Sequence, residues 1–196
     1  INQKKIKTKH YEMIPFYYIF NKMGNYNKII DIVNSKNYNE ILIFKKIVFN
    51  FKIKEEIIKK VNDFKIQHFD EDTISIGIRS WDRNISIHSY KNINQKSREK
   101  ESRRHQSFDL NIYIKFMEEN RNNKFFIACD NVKYIDILKD KFPNKIICYD
   151  KNNNHIDDFI ELLLLSHNKK FMYTKKSSFY IIAVLFSKYN QELFPV

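Results

Sequence analysis

From residue 53 onward the chain alternates between short, β-branched apolar runs and longer segments whose apolar residues recur at helical spacing. This alternation constrains the fold more than any other feature. Strands joined by helices of these lengths build a parallel sheet with helices on both faces. Ile53, Ile57, Ile58, Val61 and Phe64 predict an amphipathic helix over 53–65, and Thr73–Arg79 predicts a buried strand, β-branched at four of its first six residues. A helix follows to about Asn120, capped by Ser107 or Asp109 and carrying Ile112, Tyr113, Phe116 and Met117. Further strands are expected at Lys124–Cys129, Lys145–Tyr149 and Lys170–Thr174. Further helices are expected after Asp130-Asn131, over Ile156–His167, and from Ser177 or Ser178 to about Tyr189.

The expected fold class is therefore α/β, a Rossmann-like parallel sheet with helices on both faces. Right-handed crossovers put the carboxyl ends of such strands on one edge. There the sequence gathers Arg79 with Asp82, Asp130 with Asn131, Asp150, and the stretch from Thr174 to Ser178. An Arg fork, two helix N-termini and paired serines converging on one crevice suit a phosphate or nucleotide. Each has a plainer use: Arg79 and Asp82 as a surface ion pair, Asp130 as a helix cap, Trp81 as loop packing.

Residues 1–50 are harder to parse. Tyr11–Phe20 is aromatic and broken by Pro15, several Asn punctuate the stretch from Asn25 to Asn39, and Ile41–Phe51 suits either strand or helix. The expected division is 1–50 as a linker or remnant of a preceding lobe and 51–196 as the nucleotide-binding domain. The longest apolar run, Phe159–Leu165, is interrupted by Glu161 and falls short of a membrane span. Cys129 and Cys148 lie in apolar stretches without metal or C-x-x-C spacing, and read as buried free thiols. The net charge of +12 favours anionic ligands of any kind, nucleic acid included. The densest basic cluster runs from Lys91 to Arg104 and reads first as solvated loop.

Four segments occur in an order that resembles the nucleotide-sugar-binding half of the inverting fucosyltransferases, the α-1,6 type above all. They are Gly77-Ile78-Arg79-Ser80-Trp81-Asp82, Phe126-Ile127-Ala128-Cys129-Asp130-Asn131, Glu161-Leu162-Leu163-Leu164-Leu165-Ser166 and Ser177-Ser178-Phe179. The resemblance covers roughly residues 50–190. It implies the C-terminal, donor-binding lobe of a GT-B glycosyltransferase, metal-independent transfer from GDP-fucose with inversion, and a glycan or protein hydroxyl as acceptor. It also implies that Arg79 meets the diphosphate and carries catalysis, with Asp82 three residues on. Asp130 and Asn131 then meet the nucleoside, Glu161 is the acid before Leu-Ser, and Ser177 or Ser178 meets a phosphate. Gly77 stands where the family has a leading His, and Ser80 stands where the α-1,6 type has a second Arg.

On this resemblance the acceptor-binding lobe is expected to be missing or vestigial, and a first residue of Ile rather than Met is compatible with a piece of a longer chain. Bacterial or viral members work in the cytoplasm or at a membrane surface, eukaryotic ones in the secretory lumen. Two other readings stand beside this one: a degenerate relative that binds without turnover, and a basic α/β protein that binds nucleic acid through its charged loop.

Overall fold

The structure is a computed structural model, and it describes residues 26–80, 108–152 and 155–196. Helices α1 (Tyr26–Asn34), α2 (Tyr38–Val48) and α3 (Glu55–His68) lead into β1 (Ile74–Ile78). Then come α4 (Leu110–Glu119), β2 (Phe125–Cys129), α5 (Val132–Lys141), β3 (Ile146–Ile147), α6 (His155–Leu165), β4 (Lys170–Tyr173), α7 (Ser178–Phe186) and β5 (Glu192–Pro195). The five strands form one sheet in the order β3-β2-β1-β4-β5, and every pairing is parallel. The chain winds outward from β1 to β3, then crosses to the other side of β1 and winds outward again. The reversal leaves a crevice at the carboxyl ends of β1 and β4, where open α/β sheets bind ligands.

Side-chain alternation along the strands divides the core into two layers. Ile74, Ile76 and Ile78 of β1, with Phe125 and Ile127 of β2, pack against Tyr113, Phe116 and Met117 of α4 and Leu138 of α5. Phe126, Ala128, Phe171 and Tyr173 face the opposite way, into a larger cluster with α1, α2, α6 and α7. Helix α7 is apolar all round, and its residues from Tyr180 to Phe186 are all buried. A helix of that kind needs cover on both sides. The sheet supplies one side; α1 and α2 supply the other, with Ile29, Val33, Ile41 and Val48 in the same cluster. Residues 26–48 thus share a core with the sheet.

The predicted strands and helices are present, with shifts at their ends. The third strand pairs only over Ile146–Ile147, and the last helix stops at Phe186, where the backbone of Ser187 turns extended. β5 is an addition to the expected elements: its short run ends in Pro195, and proline is tolerated only at the edge position this strand occupies. Ile41–Phe51, open between strand and helix in the sequence, is helical up to Val48. Asp109 caps α4 by accepting from the Asn111 amide at 2.9 Å. Among the described residues no helix is long and apolar enough to cross a membrane. Tyr11–Phe20, Trp81, Asp82, the Lys91–Arg104 cluster and Ser107 lie outside the described residues.

On the α6–α7 side, β1 offers only small groups. The Ser75 hydroxyl donates to the Leu165 carbonyl at 2.9 Å and accepts from the Asn168 side-chain Nδ2 at 2.9 Å. Gly77 lies under the ring of Tyr180, whose hydroxyl is 2.7 Å from the Ile78 carbonyl and 3.0 Å from that of Ala128. A Cβ at position 77 would stand 2.6 Å from that ring, which its own hydrogen bonds hold in place. In an ordinary strand Ala is favoured over Gly; here overpacking decides the sign. Gly77→Ala is expected to cost about 1–3 kcal/mol, read as a lower urea midpoint at unchanged slope. An unchanged midpoint would contradict the packing described.

Candidate functional site

The turn after β1 is held from both neighbouring strands. From β2, one carboxylate oxygen of Asp130 accepts from the Ser80 amide and the Ser80 hydroxyl, each at 2.8 Å. The other Asp130 oxygen stands 3.4 Å from Arg79 Nε. From β4, the Thr174 hydroxyl oxygen accepts from the Arg79 amide at 2.9 Å, and the Tyr113 hydroxyl of α4 lies 2.6 Å from it. The Thr174 amide in turn donates to the Gly77 carbonyl at 3.1 Å. Three adjacent strands and α4 are thus joined at the carboxyl edge by polar groups alone. Arg79 is about a third exposed and Asp130 half as much, so their attraction is screened and adds little stability. Its consequence is orientation: it fixes a guanidinium at the mouth of the crevice.

Helix α7 begins beside that turn. Ser177 is its buried N-cap residue, and its amide donates to the Thr174 carbonyl at 3.1 Å. The Ser177 side chain makes no capping hydrogen bond, and Ser178, the first helical residue, is exposed. The positive end of the helix dipole thus lies at this edge, where negative charge is favoured. At α5 the cap is different. Asn131, almost wholly buried, accepts from the Lys133 amide at 3.0 Å and closes that helix end itself. The two residues that the sequence leaves sharing the cap divide the work, Asn131 capping and Asp130 gripping the β1 turn.

Glu161 belongs to a separate cluster. It is 6% exposed, and its Oε2 is 3.0 Å from Lys151 Nζ, which also reaches Asp158 at 3.3 Å. Burial raises the Glu161 carboxyl to about 7, against the lowering effect of Lys151. Burial opposes the charge on Lys151 too, but the two carboxylates prevail and its ammonium is held more firmly than usual. Sequence reasoning misses Lys151; a lysine ten residues before an acid in a strongly apolar helix is the signal that marks it. Tyr113 is hidden differently, since it occupies a position in the apolar stripe of α4 and nothing in that pattern reveals a bonded hydroxyl.

Gly77 contributes no side chain to the crevice; it is filled over by Tyr180. Cys129 and Cys148 are free thiols, as expected, but half-buried rather than buried; desolvation still pushes them up to about 12 and about 11, so both stay protonated near neutral pH. Among the described residues no three or more His, Cys, Asp or Glu gather as metal ligands. The structure thus brings Arg79, Asp130, Ser177 and Ser178 to one edge, with Asn131 next to Asp130, and pairs Glu161 with Lys151.

No protein-family model matches the chain, and no curated protein matches it in sequence. Solved structures do. The NodZ α-1,6-fucosyltransferase soaked with GDP-fucose superposes with a TM-score of 0.51 at 16% identity, over 72% of this chain and 46% of that one. The same enzyme co-crystallised with GDP gives 0.50 at 17% identity, over 72% and 45%. The fucosyltransferase NodZ from Bradyrhizobium gives 0.51 at 17%, over 72% and 46%. The fold is fucosyltransferase-like. The expected α/β class and the resemblance read from four short segments agree with this likeness, and the chain spans about half the length of each of these structures.

The Glu161 cluster makes stability depend on pH. A carboxyl near 4.5 unfolded and near 7 folded binds more protons in the folded state between those values. Its contribution is complete below pH 4.5 and is lost as pH rises through 7. Wild type is expected to lose on the order of 1–3 kcal/mol across this window, with Glu161→Gln much flatter, in urea titrations at several pH values. Parallel profiles for the two proteins would contradict the assignment.

Proposed function

We propose that this chain carries the donor site of a glycosyltransferase that takes GDP-fucose and transfers the sugar, with inversion, to a hydroxyl of a glycan or protein. The observation that carries the reading is Arg79, braced by Asp130 at the sheet's reversal point and adjacent to the N-terminus of α7. A diphosphate seated there meets a fork of donors and a row of amide dipoles together. The fold likeness to a fucosyltransferase soaked with GDP-fucose supports the choice of nucleotide and sugar.

In the reaction, the acceptor oxygen forms a bond to the anomeric carbon from the face opposite the diphosphate. The bond from that carbon to the phosphate oxygen breaks, its electron pair leaves with GDP, and the acceptor's proton passes to water. Negative charge grows on the leaving diphosphate. One fixed donor to that charge is typically worth about 3–4 kcal/mol in the transition state. Arg79 supplies such a donor, and the α7 amides supply the remainder with Ser178 beside them. With charge neutralised by these groups, the transfer needs no metal. Ser177 contributes through the helix end that it begins, and Asn131 by fixing the main chain next to Asp130.

One observation favours a second reading, binding without turnover. The family's leading His is Gly77 here, and the Tyr180 ring leaves no room for any side chain at that position. Whatever that His does in the family must be done by another residue or not at all. Nucleic-acid binding rests on the net charge of +12 and on the Lys91–Arg104 cluster, which lies outside the described residues.

Calorimetric titration with GDP and UDP separates these readings. Saturable GDP binding, weaker UDP binding, and a loss of about thirtyfold in affinity for Arg79→Ala are expected, the last corresponding to about 2 kcal/mol for a hydrogen bond to a charged group. Release of free GDP from GDP-fucose in the presence of acceptor distinguishes turnover from binding alone. A folded protein that takes no GDP, or an Arg79→Ala variant that binds as wild type does, would refute the donor-site reading.

A further inference from the structure

The Thr174 hydroxyl is where β1, β4 and α4 meet. Its oxygen accepts from the Arg79 amide at 2.9 Å, lies 2.6 Å from the Tyr113 hydroxyl and 3.5 Å from the Gly77 carbonyl. A threonine hydroxyl has one proton and two acceptor sites. When Tyr113 donates to Thr174, one acceptor site takes the phenol proton and the other the Arg79 N–H. The Thr174 proton is then left for the Gly77 carbonyl, and its hydroxyl is saturated within the protein. It therefore acts through what it holds, and what it holds is the main chain of Arg79.

We propose that Thr174 is a positioning residue for ligand binding, with Tyr113 as its orienting partner. The proposal rests on the donor-site reading above. Asp130 grips the Arg79 side chain and the Ser80 amide from β2; Thr174 grips the Arg79 amide from β4. With both in place, the turn is fixed on either side of the Arg79 Cα, so the guanidinium has one base from which to extend. Without the Thr174 hydroxyl, the Arg79 amide loses its tie to β4. Tyr113 is 2% exposed, and burial holds its phenol well above the ordinary value, so it remains a neutral hydroxyl able to donate. The same bond ties the first turn of α4 to the ligand crevice, so α4 and the Arg79 turn are set together. Burying a phenol without this bond would leave its proton unpaired, which is a cost the Thr174 oxygen removes.

Thr174→Val keeps the shape of the side chain and loses the oxygen. Thr174→Ser keeps the oxygen and loses a methyl. Tyr113→Phe removes only the phenol hydroxyl. The experiment measures GDP affinity by calorimetry and exchange of the Arg79 amide by nuclear magnetic resonance, both well below the melting temperature of each variant. Thr174→Val is expected to bind GDP about five- to tenfold more weakly, the equivalent of one lost hydrogen bond, and to lose protection at the Arg79 amide. Tyr113→Phe is expected to shift both readouts in the same direction by less, and Thr174→Ser to restore both to near wild type. A purely structural threonine would lower the melting temperature while leaving the GDP affinity of the folded protein alone.

Wild type that binds GDP alongside a Thr174→Val variant of equal affinity and protected Arg79 amide would overturn the inference and leave the donor site standing. Should Thr174→Val fail to fold, Tyr113→Phe with unchanged affinity and protection would overturn it as well. Wild type that takes no GDP would remove the donor-site reading, and the role of Thr174 in ligand binding with it.

Discussion

The contact between Tyr180 and Gly77 sets the relation of α7 to the sheet, and much of the molecule depends on it. Tyr180 sits in the first turn of α7, directly over the central strand, and its hydroxyl reaches carbonyls of both β1 and β2. A ring can approach a strand this closely only where the strand has no side chain, and Gly77 supplies that place. With its first turn pinned, α7 opens its N-terminus at the carboxyl edge, beside the turn that carries Arg79. The rest of α7 is left apolar on all sides, which draws α1 and α2 over it and makes residues 26–48 part of the same core.

The carboxyl edge then works by mutual restraint. Asp130 commits both carboxylate oxygens to the neighbouring turn, Thr174 its hydroxyl to the Arg79 amide, and Asn131 its side chain to the end of α5. None of these bonds is worth much alone, since a typical intramolecular hydrogen bond nets about 1 kcal/mol. Together they hold a cation and a helix N-terminus in place before any anion arrives. Such preorganisation is what a site needs if it is to stabilise charge that appears only as a bond breaks. In the Glu161 cluster, Lys151 holds two acids of α6 and so ties the segment after β3 to that helix.

Much of this is legible in the sequence because parallel sheets are written in period and length. Buried strands such as Phe125–Cys129 are continuous apolar runs, and helices such as α3 and α4 carry apolar stripes, so the alternation and its carboxyl edge can be read residue by residue. Arg79, Asp130 and the Ser177-Ser178 pair reach that edge as expected. What the sequence hides are contacts between residues distant in the chain. Gly77 reads as a site position because it occupies a motif slot, whereas its contact is with a ring about a hundred residues away. Tyr113 reads as core because its ring is core; only the hydroxyl tip is functional. β5 escapes notice because a four-residue edge strand ending in proline has too few alternating positions to stand out from loop. Helix α1 is obscured by an Asn-rich stretch that looks like loop, and α2 by an apolar run that suits strand as well as helix, until α7 demands cover.

A crystal structure with GDP bound most directly tests whether the β1–β4 edge is the ligand site. The diphosphate is expected within hydrogen-bond distance of the Arg79 guanidinium and the first-turn amides of α7, with Asp130 still on Ser80. A nucleotide bound instead in the cleft of about 650 Å³ between α4 and β5, lined by Lys36, Lys115, Lys175 and Phe194, would contradict the assignment of the site.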